Sequence, residues 1–205
     1  MDLILVRHGR PHHIENADGP ADPSLTDLGH LQARAVAGRL ATEPIDAVYS
    51  SPMNRAMETG APLARLLDLE LQIRHGVREY DAEDRSYIPF EVLRQDKERM
   101  AKFMEQETTA DRGAFSLEVV ETLTAIVKDH PSQRVVVFCH GGVVNVWASH
   151  VLGMEPKMFT NVDYTSINRF KVSSKGFKYL ESLNDNGHLA ALGESTPDGE
   201  LPVRS

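Results

Sequence analysis

Apolar residues are arranged along the chain in two patterns. Residues 3–6 and 135–139 are short, uninterrupted apolar runs rich in branched side chains, which is typical of strands buried on both faces. Four longer stretches repeat their apolar positions at helical spacing: residues 28–40, 52–67, 89–107 and 117–130. Shorter strand-like pieces occur at residues 47–49 and 69–73. The alternation predicts an α/β fold, a three-layer α/β/α sandwich with a mostly parallel central sheet.

The pattern changes towards the carboxyl end. A helix is predicted over residues 143–152, and residues 166–172 and 177–183 alternate like two strands of a hairpin joined by Ser-Ser-Lys-Gly. The hairpin is expected to add antiparallel strands at the sheet edge. From residue 184 the composition shifts to Asn, Asp, Gly, Pro and Glu, so we predict one catalytic domain over residues 1–183 and a loop-like or partly disordered tail over residues 184–205.

Composition narrows the range of partners. The formal charge of −8 over 205 residues disfavours nonspecific attraction to nucleic acid or to an anionic membrane, whereas a small anion needs only a local cationic pocket. The single cysteine, Cys139, cannot form an internal disulfide, and the apolar run near the amino terminus is too brief for a signal or membrane segment. We expect a cytoplasmic protein and leave open whether it forms a homo-oligomer.

Candidate chemistry follows three predicted strands. Arg7-His8-Gly9 follows the first strand, His140-Gly141-Gly142 follows the strand over residues 135–139, and Arg55 lies just after the strand at residues 47–49. In an open α/β sheet the binding crevice lies at the carboxyl ends of the strands, so these groups are expected to meet there. For the third segment, Ser51 is predicted to cap the next helix and Pro52 to begin it.

Each of these signals also has a simple structural interpretation. An isolated His after a strand is more often structural than functional, and Arg-His-Gly is weak as a bare tripeptide. Arg55, however, would lie near a helix N-terminus, where a cation is unfavourable unless an anion binds between them. The backbone N–H groups of Gly141 and Gly142 at another helix N-terminus would favour the same ligand. Three coincident anion sites outweigh the structural interpretation.

Further motifs occur in the same order as in a known family. They are Leu25-Thr26-Asp27-Leu28-Gly29 with Gln32-Ala33, Ser50-Ser51-Pro52 with Arg55-Ala56 and Thr59, Glu79, and His140-Gly141. With Arg7-His8-Gly9 they make nearly the whole chain resemble the histidine phosphatase superfamily, also called the phosphoglycerate mutase-like family. The resemblance implies a phosphoglycerate mutase-like fold and a metal-independent phosphatase without a cofactor.

The resemblance also implies roles for individual residues. His8 is expected to be the phosphorylated nucleophile, and Glu79 to donate a proton to the leaving group. Phosphate contacts are expected from Arg7, Arg55, His140 and Gly141. The chain departs from the family pattern after Gly9, where Arg10 and Pro11 stand in place of the usual Glu or Gln and a hydroxyl residue. The family's Asn falls where Ile14 stands, so Asn16 is the candidate replacement.

Elementary chemistry fits these roles. A neutral imidazole is a competent nucleophile near pH 7, and its second ring nitrogen should be held by a partner such as a backbone carbonyl. Guanidinium groups at residues 7 and 55 can hold phosphoryl oxygens bidentately, with His140 expected to be protonated as a third donor. These cations replace the charge that Mg²⁺ supplies elsewhere, so no metal is expected.

Several side chains leave alternatives open. Glu79 could instead be a surface carboxylate paired with Arg78, and three nearby acids rival it: Asp81, Glu83 and Asp84. His12 and His13 are interpreted as exposed rim residues rather than metal ligands, and Cys139 as a core residue. The segment over residues 80–113 is expected to roof the pocket and to select the substrate with Arg85 and Tyr87, joined by Arg10.

Three functions compete on this basis. The first is hydrolysis of a small phosphomonoester through a phosphohistidine, the second is a phosphoglycerate-type mutase with the same residues, and the third is a noncatalytic module that binds a phosphorylated ligand. Family mutases are often longer than this chain, which favours hydrolysis. Arg10 and Pro11 would mark a decayed site in the third case.

Overall fold

The fold is built around a central sheet. A computed structural model describes residues 1–109, 112–173 and 176–192. Six strands form the sheet: β1 (Asp2–Arg7), β2 (Ala47–Ser50), β3 (Leu71–Ile73), β4 (Arg134–Cys139), β5 (Ile167–Val172) and β6 (Lys178–Asp185). Their order is β3-β2-β4-β1-β5-β6. The first four strands are parallel, and β5 and β6 add antiparallel strands at one edge, as predicted.

Helices cover both faces of the sheet. They are α1 (Asp27–Leu40), α2 (Asn54–Leu67), α3 (Phe90–Leu93), α4 (Lys97–Thr109), α5 (Gly113–Asp129) and α6 (Gly141–Leu152). Alternate residues of β1 and β4 point to opposite faces, so Ile4 packs with α1 and α2 in one core, and Leu5 packs with α5 and α6 in the other. The predicted three-layer α/β/α sandwich is therefore confirmed.

One predicted helix is wrong in its continuity. The periodic stretch over residues 89–107 is interrupted after α3, and α4 begins at Lys97. The Asp96 carboxylate accepts hydrogen bonds from the backbone N–H groups of Glu98 and Arg99, at 3.0 and 3.1 Å. A side chain that satisfies these N–H groups starts a new helix, and helical periodicity alone does not reveal that restart.

The carboxyl end is more ordered than its composition indicated up to residue 192. Strand β6 runs to Asp185, and a 3-10 helix at Gly187–Leu192 buries Leu189. Residues 184–192, placed in the tail by the prediction, thus form regular structure that the buried side chain of Leu189 anchors. The rest of the predicted tail, residues 193–205, lies outside the described residues, and the single-domain organisation stays a prediction.

The strand register aligns the segments that carry the candidate chemistry. Arg7 at the end of β1 pairs with Cys139 at the end of β4, and Ser50 at the end of β2 pairs with Phe138. His8, Ser51 and His140 consequently leave the sheet at the same edge. In the described part of the chain, no helix is both long and apolar enough to cross a bilayer.

Candidate active site

His8 lies immediately after β1 and is 2% exposed. Its Nδ1 is 2.8 Å from the carbonyl oxygen of Gly9. A carbonyl can only accept, so Nδ1 carries the proton and Nε2 keeps its lone pair. Burial, together with the positive charge of Arg55, holds the pKa of His8 well below 6.5. The imidazole is therefore a neutral base with one nitrogen available for attack.

The loop after His8 is held against α1 at very close range. A Cβ on Gly9 would lie 2.8 Å from the carbonyl oxygen of Gly29, and one on Gly29 would lie 2.2 Å from that of Arg10. Thr59 accepts a hydrogen bond from the Gly9 N–H, and Gln32 accepts one from the Arg10 N–H, both at 2.9 Å. These motif residues fix the loop that orients His8.

Arg7 is oriented by the start of the antiparallel strand β5. Its guanidinium carbon lies 4.2 Å above the ring centre of Tyr164, and Nη1 donates to the carbonyl of Val162. The buried Nε has no hydrogen-bond partner. Stacking and one hydrogen bond thus fix the plane of the Arg7 guanidinium group and leave other N–H groups able to donate to a ligand.

Arg55 is fully buried, and none of its three side-chain nitrogens has a hydrogen-bond partner. The carboxylates of Asp22 and Asp81 approach only to 3.8 Å, and the guanidinium carbon lies 4.6 Å above the ring centre of Tyr87. A buried charge without hydrogen bonds is costly, because desolvation is not compensated. The arrangement is suited to an anion that accepts these N–H groups.

The helix that carries Arg55 starts differently from the prediction. Ser51 does not cap it and Pro52 is not its first residue, since α2 begins at Asn54. The cap comes from Asp22, whose two carboxylate oxygens accept from the Asn54 N–H at 2.9 and 3.1 Å. Asp22 thus supplies the negative charge that the dipole of α2 favours, from a loop 32 residues away.

His140 precedes α6 and is fully buried. Its ring centre lies 5.2 Å from that of His8, and Nε2 is 2.9 Å from Ser51 Oγ. Burial and the charge of Arg55 hold the pKa of His140 well below 6.5, so its surroundings in the protein favour the neutral ring, and its protonation beside a phosphoryl group stays a prediction. Its buried Nδ1 has no partner.

Glu79 lies beyond the 3-10 helix His75–Val77 and is not paired with Arg78, which instead contacts Glu83 at 2.9 Å. The Glu79 carboxylate accepts from the N–H of Gly142 at 2.9 Å and from that of Tyr80 at 3.1 Å. Burial and the nearby charge of Asp81 raise the pKa of Glu79 to about 7. A carboxyl group with that pKa can donate a proton near neutrality.

Of the three rival carboxylates, only Asp81 lines the cavity. Burial raises the pKa of Asp81, which faces Arg55 in the same cavity. Glu83 and Asp84 are exposed and do not line that cavity. Because the N–H of Gly142 is committed to Glu79, the expectation that both glycine N–H groups face an anion is wrong for Gly142. Gly141 does line the cavity.

Four predicted substrate contacts have different outcomes. Tyr87 is in the wall, stacked on Arg55. Asn16, predicted as a phosphate contact, is exposed and does not line the cavity, and its backbone N–H donates to Ser86 Oγ at 3.0 Å. Arg85 is also exposed and donates to the carbonyl of Ala17. Arg10 contacts Glu91 at 3.4 Å and does not line the cavity either.

A cavity of about 390 Å³ opens beside His8, Arg7 and Arg55. Its described lining includes Arg7, His8, Arg55, Glu79, Asp81, Tyr87 and Gly141. His12 and His13 lie outside it. Within residues 1–109, 112–173 and 176–192, no group of three or more His, Cys, Asp or Glu side chains is arranged to hold a metal ion.

Sequence reasoning missed Tyr164, which stacks on Arg7 and whose hydroxyl donates to the Glu91 carboxylate at 3.2 Å. A signal was available. Strand β5 was predicted to be antiparallel, and Ile167 at its start pairs with Val6 near the end of β1. Residues before an antiparallel strand therefore reach the same edge as residues after the parallel ones. Asp22 had no comparable signal, because no pattern marks its loop.

Comparisons with known proteins find phosphatases among the relatives of this chain. A probable phosphatase of Schizosaccharomyces pombe is 28% identical and is aligned over 98% of this chain and 99% of its own. A metal-independent phosphoserine phosphatase of Arabidopsis thaliana is 27% identical over 94% of this chain and 84% of its own.

Solved structures give the same result. A phosphoserine phosphatase mutant from Entamoeba histolytica, crystallised with phosphoserine, is 28% identical and superposes with a TM-score of 0.72 over 92% of this chain and 98% of its own. Residues 3–186 match the histidine phosphatase superfamily, branch 1. The chain belongs to this superfamily, as its motifs predicted.

Proposed function

We propose that this chain hydrolyses phosphomonoesters of small metabolites by transferring the phosphoryl group to Nε2 of His8. The observation that carries the proposal is Arg55, a fully buried guanidinium with three unpartnered nitrogens beside the same cavity as Arg7 and His8. A phosphoryl group offers the negative oxygens that these donors lack. A neutral nucleophile and a carboxylic acid then complete the set needed for transfer.

In the first half-reaction, the lone pair of His8 Nε2 attacks phosphorus and the ester P–O bond breaks. The Nδ1–H bond to the Gly9 carbonyl fixes the ring orientation during attack. Arg7 and Arg55 bind the equatorial oxygens, where the transition state spreads its charge. Glu79 gives its proton to the departing alkoxide and becomes a carboxylate. The products are an alcohol and a phosphohistidine.

In the second half-reaction, the Glu79 carboxylate takes a proton from water as the water oxygen attacks phosphorus. The N–P bond breaks, and its electron pair returns to Nε2 of His8. Phosphate leaves, and Glu79 is again protonated. A pKa of about 7 suits one carboxyl group to both roles, because its protonated and ionised forms are both well populated near neutral pH. An anion in the site would also favour protonation of His140, which then donates from its unpartnered Nδ1.

The relatives support hydrolysis over the alternatives. Three relatives whose alignments span most of both chains are named as phosphatases, two of them as phosphoserine phosphatases. A fourth, of similar identity, is named only as phosphoglycerate mutase-like. The presence of a nucleophile (His8), a phosphoryl clamp (Arg7 and Arg55) and an acid (Glu79) argues against a noncatalytic binding module with a decayed site. Arg10, which departs from the family pattern, is engaged with Glu91 rather than intruding on the cavity.

Detection of the covalent intermediate tests the proposal. The protein is mixed with a ³²P-labelled phosphomonoester in EDTA, quenched within milliseconds, and examined for label that is stable in base and released by acid. We expect label on the wild type and none on His8→Ala. The exposed His12 provides the control, and His12→Ala should label like the wild type. Turnover of the ester without label on His8 would reject the mechanism.

We also propose a cytoplasmic location, since the single cysteine is fully buried and suits a reducing compartment. Imaging of a fluorescent fusion tests this. The expected lack of nucleic-acid and membrane partners, and the open question of a homo-oligomer, stay predictions.

A further inference from the structure

The part of the cavity beyond the phosphoryl clamp is lined by apolar side chains. They are Ile88, Phe90, Leu93, Phe103, Met158, Phe159 and Val162. The rings of Phe90 on α3 and Phe103 on α4 meet edge to face, with centroids 6.0 Å apart. Three separate segments thus turn apolar groups towards one space. Such a wall contributes binding free energy only to a ligand that buries apolar surface against it.

Charge is concentrated at the phosphoryl end of this space. Among the described residues that line the cavity, Arg7 and Arg55 are the only cationic side chains. Both are needed for the phosphoryl oxygens. The acidic lining residues are Glu79 and Asp81; Asp81 lies 3.8 Å from Arg55, and the charge of Arg55 also acts on Glu79. A substrate carboxylate would therefore be desolvated without a described cation to pair with it.

The most buried polar side chain in the wall is already saturated. The Asn145 amide donates to the carbonyls of Gly141 and Thr160, at 2.9 and 3.1 Å. Its oxygen accepts from the N–H groups of Phe159 and Thr160, at 3.0 and 3.1 Å. Four hydrogen bonds use the full capacity of an amide, so Asn145 holds the wall and has none left for a ligand. The other polar lining residues, Tyr80, Tyr87, Thr160 and Asn161, are uncharged.

A second cavity of about 830 Å³ lies on the other side of Tyr80, Ile88 and Phe103. Its described cations are Arg99, which pairs with Glu15 at 2.9 Å, Arg112, which lies 3.9 Å above the ring centre of Tyr80, and Lys102. Arg99 and Arg112 are engaged with neighbours of their own, and the exposed Lys102 lines this second cavity but not the first. They do not provide a counter-charge on the surface that a small substrate would touch.

We propose that the site selects phosphomonoesters of uncharged, apolar alcohols and disfavours the phosphates of amino acids and hydroxy acids. The inference rests on the proposed phosphatase function and adds the substrate class. It separates this chain from relatives that are named for phosphoserine, because the wall that meets the alcohol offers apolar surface and no described cation. The volume of about 390 Å³ suits a small metabolite.

Four phosphates of primary alcohols, with similar leaving groups, test the proposal. They are 3-methylbutyl phosphate, glycerol 3-phosphate, phosphoserine and 3-phosphoglycerate. We expect kcat/KM for 3-methylbutyl phosphate to exceed that for glycerol 3-phosphate by about tenfold or more, as is usual when methylenes enter an apolar pocket. The two carboxylates should be the poorest substrates. A preference for either carboxylate would overturn the proposal.

Two substitutions in the apolar wall test whether it determines the substrate preference. Phe90→Ala should reduce the ratio of kcat/KM for 3-methylbutyl phosphate to that for glycerol 3-phosphate by about tenfold. The control is Phe177→Ala, which removes the same ring from an exposed position on the hairpin and should keep the ratio. Met158→Lys, at a wall residue that is 44% exposed and tolerant of a charge, should raise the relative kcat/KM for 3-phosphoglycerate. If Phe90→Ala and Met158→Lys both leave these kcat/KM ratios unchanged, the apolar wall does not select the substrate and the proposal is wrong.

Failure of this inference can be distinguished from failure of the phosphatase function. If phosphoserine is preferred and His8 is still labelled, the apolar selection is wrong and the phosphatase mechanism stands. If none of the four esters is hydrolysed and no label appears on His8, the proposed function itself falls, and the substrate class falls with it.

Discussion

The Glu79 carboxylate and the Gly142 backbone are in direct contact, with 2.9 Å between Glu79 Oε2 and the Gly142 nitrogen. A Cβ at residue 142 would lie 2.1 Å from Glu79 Oε1. The proposed acid, on a loop, is thus held by the first turn of α6, which follows His140 directly. The absence of a side chain at residue 142 lets the half-buried carboxyl group reach the phosphoryl end of the cavity.

We predict that Gly142→Ala impairs catalysis without unfolding the protein. The added methyl group must push the Glu79 carboxyl group away, and loss of a positioned acid typically costs a factor of about 10² to 10⁴. Steady-state kcat with an alkyl phosphate measures the loss. Gly38→Ala on α1, whose Cβ meets nothing within 4 Å, is the control and should be fully active. An unimpaired Gly142→Ala enzyme would show that Glu79 is not the acid.

The leaving group should determine how much Glu79→Gln costs. A primary alkoxide needs a proton to depart, whereas a nitrophenolate leaves readily without one. We expect kcat/KM to fall by about 10² or more for an alkyl phosphate and by far less for p-nitrophenyl phosphate. The comparison is made on one preparation of the variant, so misfolding cannot mimic it. Equal losses on both substrates would assign Glu79 a role other than proton donation.

The pH dependence follows from the raised pKa of Glu79. The acid must be protonated for the first half-reaction, so kcat/KM for an alkyl phosphate should be highest below pH 7 and should decline as pH rises through about 7. The substrate phosphate, with a second pKa near 6, is already dianionic there and does not cause the decline. His8 stays neutral because its pKa is lowered. The decline should vanish in Glu79→Gln, and a decline that persists there would implicate another group.

The sequence predicted the sheet and its chemical edge because both depend on local patterns. Uninterrupted apolar runs mark β1 and β4, and the residues after them have to emerge at one edge of a parallel sheet. His8, Arg55 and His140 could therefore be singled out from the residues alone. Glu79 could not, since it follows no strand, and only the family resemblance pointed to it.

Features that leave the apolar periodicity unchanged were harder to predict from the sequence. The cap of α2 comes from Asp22, and the break before α4 depends on one carboxylate, so neither changes the apolar periodicity. The protonation of His140 was predicted from its role with a bound phosphate. Burial and two arginines on their own favour the neutral ring. The environment of a buried group is set by tertiary packing, which a sequence motif does not report.

Vanadate binding should test the oxygen clamp at Arg55. Vanadate mimics the trigonal-bipyramidal transition state, and a ligand at about 100 times its Kd stabilises the folded state by about 2.7 kcal/mol. For a domain of this size that raises Tm by roughly 5–10 °C. Arg55→Lys keeps the positive charge but loses the paired guanidinium N–H donors. The rise in Tm with vanadate should therefore be smaller, and kcat should fall by about 10² to 10³.

The same helix provides the control for that substitution. Arg65 is exposed in the last turn of α2, and Arg65→Lys should keep both the vanadate shift and kcat. A full vanadate shift in Arg55→Lys would contradict the bidentate role.

His188 should make the protein sensitive to acid. Its Nε2 lies 3.1 Å from Thr165 Oγ1, and the Thr165 N–H donates to the carbonyls of Arg7 and His8. Burial lowers the pKa of His188 to about 4. The unfolded chain titrates near 6.5, so this histidine's contribution to stability is complete above pH 6.5 and is lost as pH falls towards 4. His188→Gln, which can keep the bond to Thr165, should lose Tm less steeply over that range in thermal melts, while the exposed His12→Gln follows the wild type. Parallel Tm profiles for wild type and His188→Gln would show that His188 is not part of the acid response.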